Sequence, residues 1–153
     1  MKKHEKALAE WEIKSISFLF NNAHKVEDFI IAGTRGWFID DDASGVPDEV
    51  DFEKVARREV MRLEMSLKEA RELSLAHGGL EIICFMHFPP VWKGVVAEPI
   101  VSLLREYGVK RVYYGHIHGN YTIPPTFTHE GIEMTLVSAD YLDFVPRFIE
   151  KRG

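Results

Sequence analysis

Two short apolar runs constrain this chain more than anything else in it. "EIICFMH" (81–87) and "RVYYG" (111–115) are nearly continuous hydrophobic stretches with β-branched and aromatic residues, and "AEPIVSLLREYG" (97–108) lies between them. Runs of this length and composition read as buried strands, the kind found where strands are joined by helices. The segment between them carries Pro99 near its first turn and Gly108 at its end, the expected punctuation of a helix. Strand, helix, strand therefore predicts an α/β layer with at least partly parallel pairing.

The rest of the chain extends the pattern. "SISFLF" (15–20) and "VEDFIIAG" (26–33) read as strands joined by a turn-like "NNAHK", after a polar, helix-compatible start over 3–14. A loop, "TRGWFIDDDASGVPDE", follows, with Gly33, Gly36, Gly45 and Pro47 as breakers. A long helix is expected from about Pro47–Glu49 to Ala76, stopped by Gly78-Gly79. Leu63, Leu67, Ala70 and Leu73 form its apolar stripe, with Arg57, Arg58, Glu64 and Lys68 on the wet face. "IEMTLVSAD" (132–140) is the last patterned strand.

Composition bounds the function classes. At 153 residues the chain is one domain or part of one, and 46% hydrophobic residues with ten Phe suffice for a core. A net charge of -5 argues against a broad nucleic-acid-binding face. The single cysteine, Cys84, excludes an intramolecular disulfide and reads as a buried strand thiol. No apolar run approaches the roughly 20 residues of a membrane span, and the N-terminus "MKKHEKALAEW" does not resemble a signal peptide. The expectation is a soluble, cytoplasmic protein without a membrane partner.

Both diagnostic strands end in histidine. "ICFMH" ends at His87 and runs into "FPP"; "VYYG" leads to His116, with His118 two residues on. In α/β sheets ligands gather just beyond the carboxyl ends of strands, so three imidazoles are expected in one small region. Neutral imidazole is the commonest metal ligand among side chains. Residues i and i+2 of an extended chain point the same way, so His116 and His118 can serve one site or two adjacent ones. Gly115 and Gly119 would let the backbone turn sharply beside an ion or substrate, and Pro89-Pro90 would stiffen the loop after His87.

"MHFPP" and "YYGHIHG" resemble the last two metal-binding blocks of the calcineurin-like metallophosphoesterases. "IAGTRGWF", "RREVMRLEMSLKEA" and "LVSADYLDF" resemble one bacterial branch of that family, often labelled serine/threonine-phosphatase-like, and the likeness runs from about Phe18 to Phe148. The resemblance implies a fold that is roughly the C-terminal half of a four-layer αββα sandwich. It also implies a dinuclear divalent metal site of manganese, iron, zinc or nickel, with manganese favoured. His87 and His116 would bind one ion and His118 the other, and the ions would polarise a phosphate ester and activate water for in-line attack.

The family's Asp-x-His, Gly-Asp and Gly-Asn-His motifs do not occur in this sequence. Neither His4 in "KKHEK" nor His24 in "NNAHKVED" has the required neighbours. The bridging carboxylate, the Asn ligand and the leaving-group histidine are therefore absent, and the chain reads as the C-terminal portion of the domain. Two functions follow from this. One is a phosphatase or phosphodiesterase fragment supplying three His ligands; the other is a non-catalytic remnant that binds a metal or a partner. Half of a two-sheet sandwich would leave one sheet face for a second copy or an N-terminal half.

Other candidates rank lower. Arg35 in "GTRGW" is a candidate phosphate contact through its fork of donors, against a structural arginine paired with a carboxylate. "DDDASGVPDEVD" (40–51) has the spacing of a calcium loop, but its flank is not helical, position twelve is Asp51, and Pro47 interrupts it. It reads as a solvated acidic loop. Trp37 is expected in packing, His77 at a helix C-terminus, and Asp140 and Asp143 in loop capping; His129 is given no role.

Overall fold

The computed structural model describes residues 3–36, 52–119, 122 and 124–150. The acidic 40–51 loop, Trp37 and the expected helix start at 47–49 lie outside the described residues. In chain order the elements are α1 (Lys3–Glu10), β1 (Ala23–Val26), β2 (Phe29–Thr34), α2 (Phe52–Ala76), β3 (Glu81–Met86), β4 (Val91–Trp92), β5 (Val95–Val96), α3 (Glu98–Glu106), β6 (Arg111–Tyr114), β7 (Thr126–His129) and β8 (Ile132–Leu136). Six of the described strands form one sheet in the order β1-β2-β3-β6-β8-β7. Its four central strands are parallel and its two edges pair antiparallel, so the protein is α/β with a mainly parallel sheet.

Register explains why the diagnostic runs are apolar throughout. Ile30, Ile82 and Ala32, Cys84, Val112, Met134 lie in rows across one face, followed by Met86, Tyr114 and Leu136. These side chains meet Leu63, Leu67 and Ala70 of α2 and Ile100, Val101 and Leu104 of α3 in one buried core. The stripe expected on α2 is the stripe that packs, while Arg57, Arg58 and Lys68 are exposed. Burial pushes the Cys84 thiol up to about 12, so it stays a neutral core group. At the end of α2 the Gly79 N–H donates to the Ser74 carbonyl at 2.8 Å, with Gly78 and Gly79 both at positive φ. His77 reaches the Leu73 carbonyl through Nδ1 at 2.9 Å, as a residue closing a helix end should.

The opposite face carries Phe29, Ile31, Ile83, Phe85, Tyr113 and Thr135, with Phe85 and Tyr113 stacked at 5.1 Å. Leu19 lies over Gly33 there, 3.0 Å from where a Cβ would stand. At the far end of this face buried Arg111 makes two bonds to Glu81, at 2.8 and 2.5 Å, and donates to the Glu150 carbonyl at 2.9 Å. Its pKa is raised, first by the hydrogen bond to Glu81. Phe29, Ile31 and Phe85 remain only half-buried, and Val26 is exposed.

The N-terminal strands differ from expectation. Residues 15–20 are not a strand. The Phe20 N–H donates to Asn22 Oδ1 at 2.6 Å, Asn22 Nδ2 donates to the Phe18 carbonyl at 3.1 Å, and His24 Nε2 lies 3.1 Å from the same carbonyl. Side chains thus occupy backbone groups that a ladder would need. The expected strand at 26–33 is instead a hairpin: β1 begins within "NNAHK", and Glu27-Asp28 turns the chain, with Glu27 at φ 47. The turn was easy to miss because Asp28 is its only turn-forming residue type, while the positive φ falls on Glu27. The last strand stops at Leu136 rather than 140, and β7 and the small β4–β5 hairpin had no assignment.

Candidate functional site

β3 and β6 are parallel neighbours with Met86 opposite Tyr114, so the residues that follow them leave the same sheet edge side by side. His116 Nδ1 lies 3.2 Å from His87 Nε2. The Gly115 N–H points at the Met86 and His87 carbonyls, at 3.3 and 3.2 Å, which ties the two strand ends together. From β2 the Arg35 carbonyl accepts the N–H groups of His87 and Phe88 at 3.1 and 3.0 Å. Three adjacent strand ends therefore fix one small patch.

The turn after β6 does not use its glycines as expected. A Cβ on Gly115 would make only ordinary contacts, at 3.8 Å or more, whereas His116 itself has φ +70. The Ile117 N–H donates to the Gly115 carbonyl at 2.8 Å, which makes His116 the centre of a γ-turn of the strained, positive-φ kind. Holding a histidine in that region costs about 1–3 kcal/mol. The conformation turns the imidazole onto His87 and Phe88, with ring centroids 5.1 and 4.4 Å away. Gly119, at φ +65, does need its freedom.

His118 faces a different partner. Its Nδ1 lies 2.7 Å from Asp140 Oδ1, and the Gly119 N–H donates to Asp140 Oδ2 at 3.1 Å. An ionised carboxylate only accepts, so His118 Nδ1 is the donor, and in the neutral ring Nε2 is then the nitrogen left to bind a ligand. The Asp140 carboxyl is held below its usual range, first by the Gly119 N–H and then by His118. Asp140 is thus a loop cap that also sets a tautomer, an arrangement common behind ligating histidines. Nearby, the Ser138 hydroxyl is buried with no partner among the described residues.

Charge sharpens the picture. His87 is pushed down from 6.5 by partial desolvation, then by Arg35 and His118. His116 is pushed down by desolvation, then by His87, His118 and Arg35. The Arg35 guanidinium sits 5.3 Å from the Phe88 ring centroid, so it belongs to the same patch. Several positive or potentially positive groups crowd together, an environment that favours neutral imidazoles and attracts anions.

Two imidazole nitrogens about 2.1 Å from one ion, at tetrahedral to right angles, stand about 3.0–3.4 Å apart. The His87–His116 spacing of 3.2 Å falls in that range, and it is also the length of an N–H···N hydrogen bond between the two rings. Among the described residues, no group of three or more His, Cys, Asp or Glu side chains is gathered closely enough to hold a metal ion. The three histidines and Arg35 are the residues singled out in the sequence; Phe88, whose only signal was its place inside "HFPP", and the pairing of Asp140 with His118 were not. No family model matches the chain, and neither curated proteins nor solved structures gave a match. No helix among the described residues is long and apolar enough to cross a membrane.

Proposed function

We propose that the chain is the C-terminal portion of a metal-dependent phosphoester hydrolase of the calcineurin-like metallophosphoesterase kind, its sheet forming one half of an αββα sandwich. The observation that carries this reading is the His87–His116 contact at 3.2 Å, at the ends of adjacent parallel strands. His87 Nε2 and His116 Nδ1 would hold one divalent cation, manganese before iron, zinc or nickel. His118, its tautomer set by Asp140, would offer Nε2 to a second. The bound ions supply Lewis acidity toward a phosphoester. Arg35 would take phosphate oxygens through its guanidinium, and Phe88 would hold that guanidinium and the His116 ring in place. The half-buried Phe29, Ile31 and Phe85 face is the surface for a second copy or an N-terminal half. We place the protein in the cytoplasm, with a small phosphoester rather than nucleic acid as its partner.

A non-catalytic, metal- or partner-binding remnant is the second reading, favoured by the lack of a third close ligand among the described residues. The test is orthovanadate binding by calorimetry, with and without manganese. The hydrolase reading expects saturable binding only with manganese, weakened in Arg35→Ala and lost in His116→Ala. Absence of manganese-dependent binding, or binding indifferent to His116→Ala, overturns it in favour of the remnant.

A further inference from the structure

We infer that an apolar cleft beside the histidine patch is a subsite for an aromatic group, which makes aryl phosphoesters the substrate class; this rests on the hydrolase reading above. The cleft encloses about 290 Å³ and is lined by Val91, Trp92, Gly94, Tyr114, Pro124 and Phe127, with Lys93 at its rim. Its position follows from the strands. Tyr114 is the cross-strand partner of Met86, and the two residues lead directly to His116 and His87. Val91 and Trp92 belong to the hairpin that the chain enters straight after "HFPP". The loop that carries His87 therefore continues directly into the hairpin that forms one wall of the cleft.

The chemistry of the lining selects the occupant. Three aromatic side chains face one small space, and Phe127 meets Tyr114 edge-on at 6.5 Å and 67°. Aromatic rings favour that geometry, and a ligand ring could join it in the same way. The cavity lies at the lower limit of small-molecule sites, so it takes one ring system rather than a peptide. Apolar walls with almost no hydrogen-bonding groups reject a sugar or a nucleobase, whose polar edges would be buried unpaired. The Lys93 ammonium, 5.8 Å from the Trp92 ring centroid, adds a positive charge at the mouth, suited to a ligand with an anionic end. Lys93 and Gly94 occupy the tight hairpin turn with φ 47 and 84, so Trp92 is held by a fixed turn.

The probe is p-cresol, which carries the ring without the phosphate, titrated into the full chain without metal. Amide spectra follow the Trp92 indole N–H and the Gly94 amide. Saturable shifts at both are expected. Affinity should fall about tenfold, equivalent to about 1.4 kcal/mol, in Phe127→Ala and in the exposed-site variant Pro124→Glu. Pro124→Glu lies on the surface, so it keeps the test valid should Phe127→Ala unfold. Absence of saturable shifts at Trp92 and Gly94, or shifts confined to the separate cleft lined by Leu8, Ile13 and His24, overturns the assignment. Because the probe needs neither metal nor vanadate, its failure leaves the hydrolase reading standing, and loss of vanadate binding leaves the cleft standing.

Discussion

Replacing Gly33 by alanine should disrupt both the sheet and the histidine patch. A Cβ at Gly33 would stand 2.0 Å from the Phe85 carbonyl oxygen and 3.0 Å from a Leu19 methyl. Real Cβ atoms do not approach within 3.0 Å, so β2 and β3 must part by about 1 Å, and the obstacle is backbone that cannot rotate away. Such a shift stretches a buried ladder bond beyond its working range, which costs about 1–3 kcal/mol on top of the overpacking itself. We expect about 3 kcal/mol of destabilisation, read as a lower urea midpoint with an unchanged slope. Gly36→Ala is the control. It has φ +71 and a Cβ contact of 2.8 Å, but with the flexible end of Met86, so its cost should stay near 1–2 kcal/mol of backbone strain. Arg35 follows Gly33 by two residues and receives the His87 N–H, so the same variant should shift the His87 and His116 ring resonances. A cost for Gly33→Ala below that of Gly36→Ala would refute the close-approach reasoning.

Ser66→Ala should cost about 2 kcal/mol in chemical unfolding, because the buried Ser66 hydroxyl accepts from the Gly33 N–H at 2.8 Å and donates to the Asn22 carbonyl at 2.7 Å. Arg111→Lys should cost about 1–3 kcal/mol by the same measurement, since an ammonium cannot reproduce the two-pronged bond to Glu81. His87 and His116 both titrate below 6.5 in the folded chain. On acidification the unfolded chain therefore takes up protons first; their contribution to stability is complete above about pH 6.5 and is lost as pH falls through the folded values. The double variant His87→Gln, His116→Gln should flatten that part of the stability profile, and an unchanged slope would contradict the pairing. The chain alone should hydrolyse an activated aryl phosphate with manganese only marginally, for want of a bridging carboxylate; robust turnover that vanishes in His116→Ala would show that carboxylates of this chain or a second copy complete the site.

The parts of the fold that were legible in the sequence are those governed by periodicity and burial. Ile82, Cys84, Val112 and Met134 announced a sheet interior because most positions along those strands are buried, and Leu63, Leu67 and Ala70 announced the helix above it. Residues 15–20 misled because their apolar pattern is strand-like, while Asn22 and His24 divert the backbone groups by side-chain hydrogen bonds that have no periodicity. The Glu27-Asp28 turn was hidden because Glu27, which takes the positive φ, is not a turn-forming residue type, and Asp28 alone is a weak signal. Of the site, His87 and His116 were legible because parallel strands deliver their carboxyl ends together. The Asp140–His118 bond spans 22 residues of sequence and left no local signal. The strain at His116 was equally invisible, since the adjacent glycines were the obvious bearers of any unusual φ.

A manganese titration followed through the imidazole C–H resonances tests most directly whether His87, His116 and His118 hold divalent cations as proposed. The His87 and His116 signals should broaden first, His118 should follow, and His24, His77 and His129 should stay sharp until excess metal is present. His116→Asn should abolish the early broadening at His87 without altering the fold. Early broadening at His24, His77 or His129, with the His87 and His116 signals unchanged, would contradict the proposal.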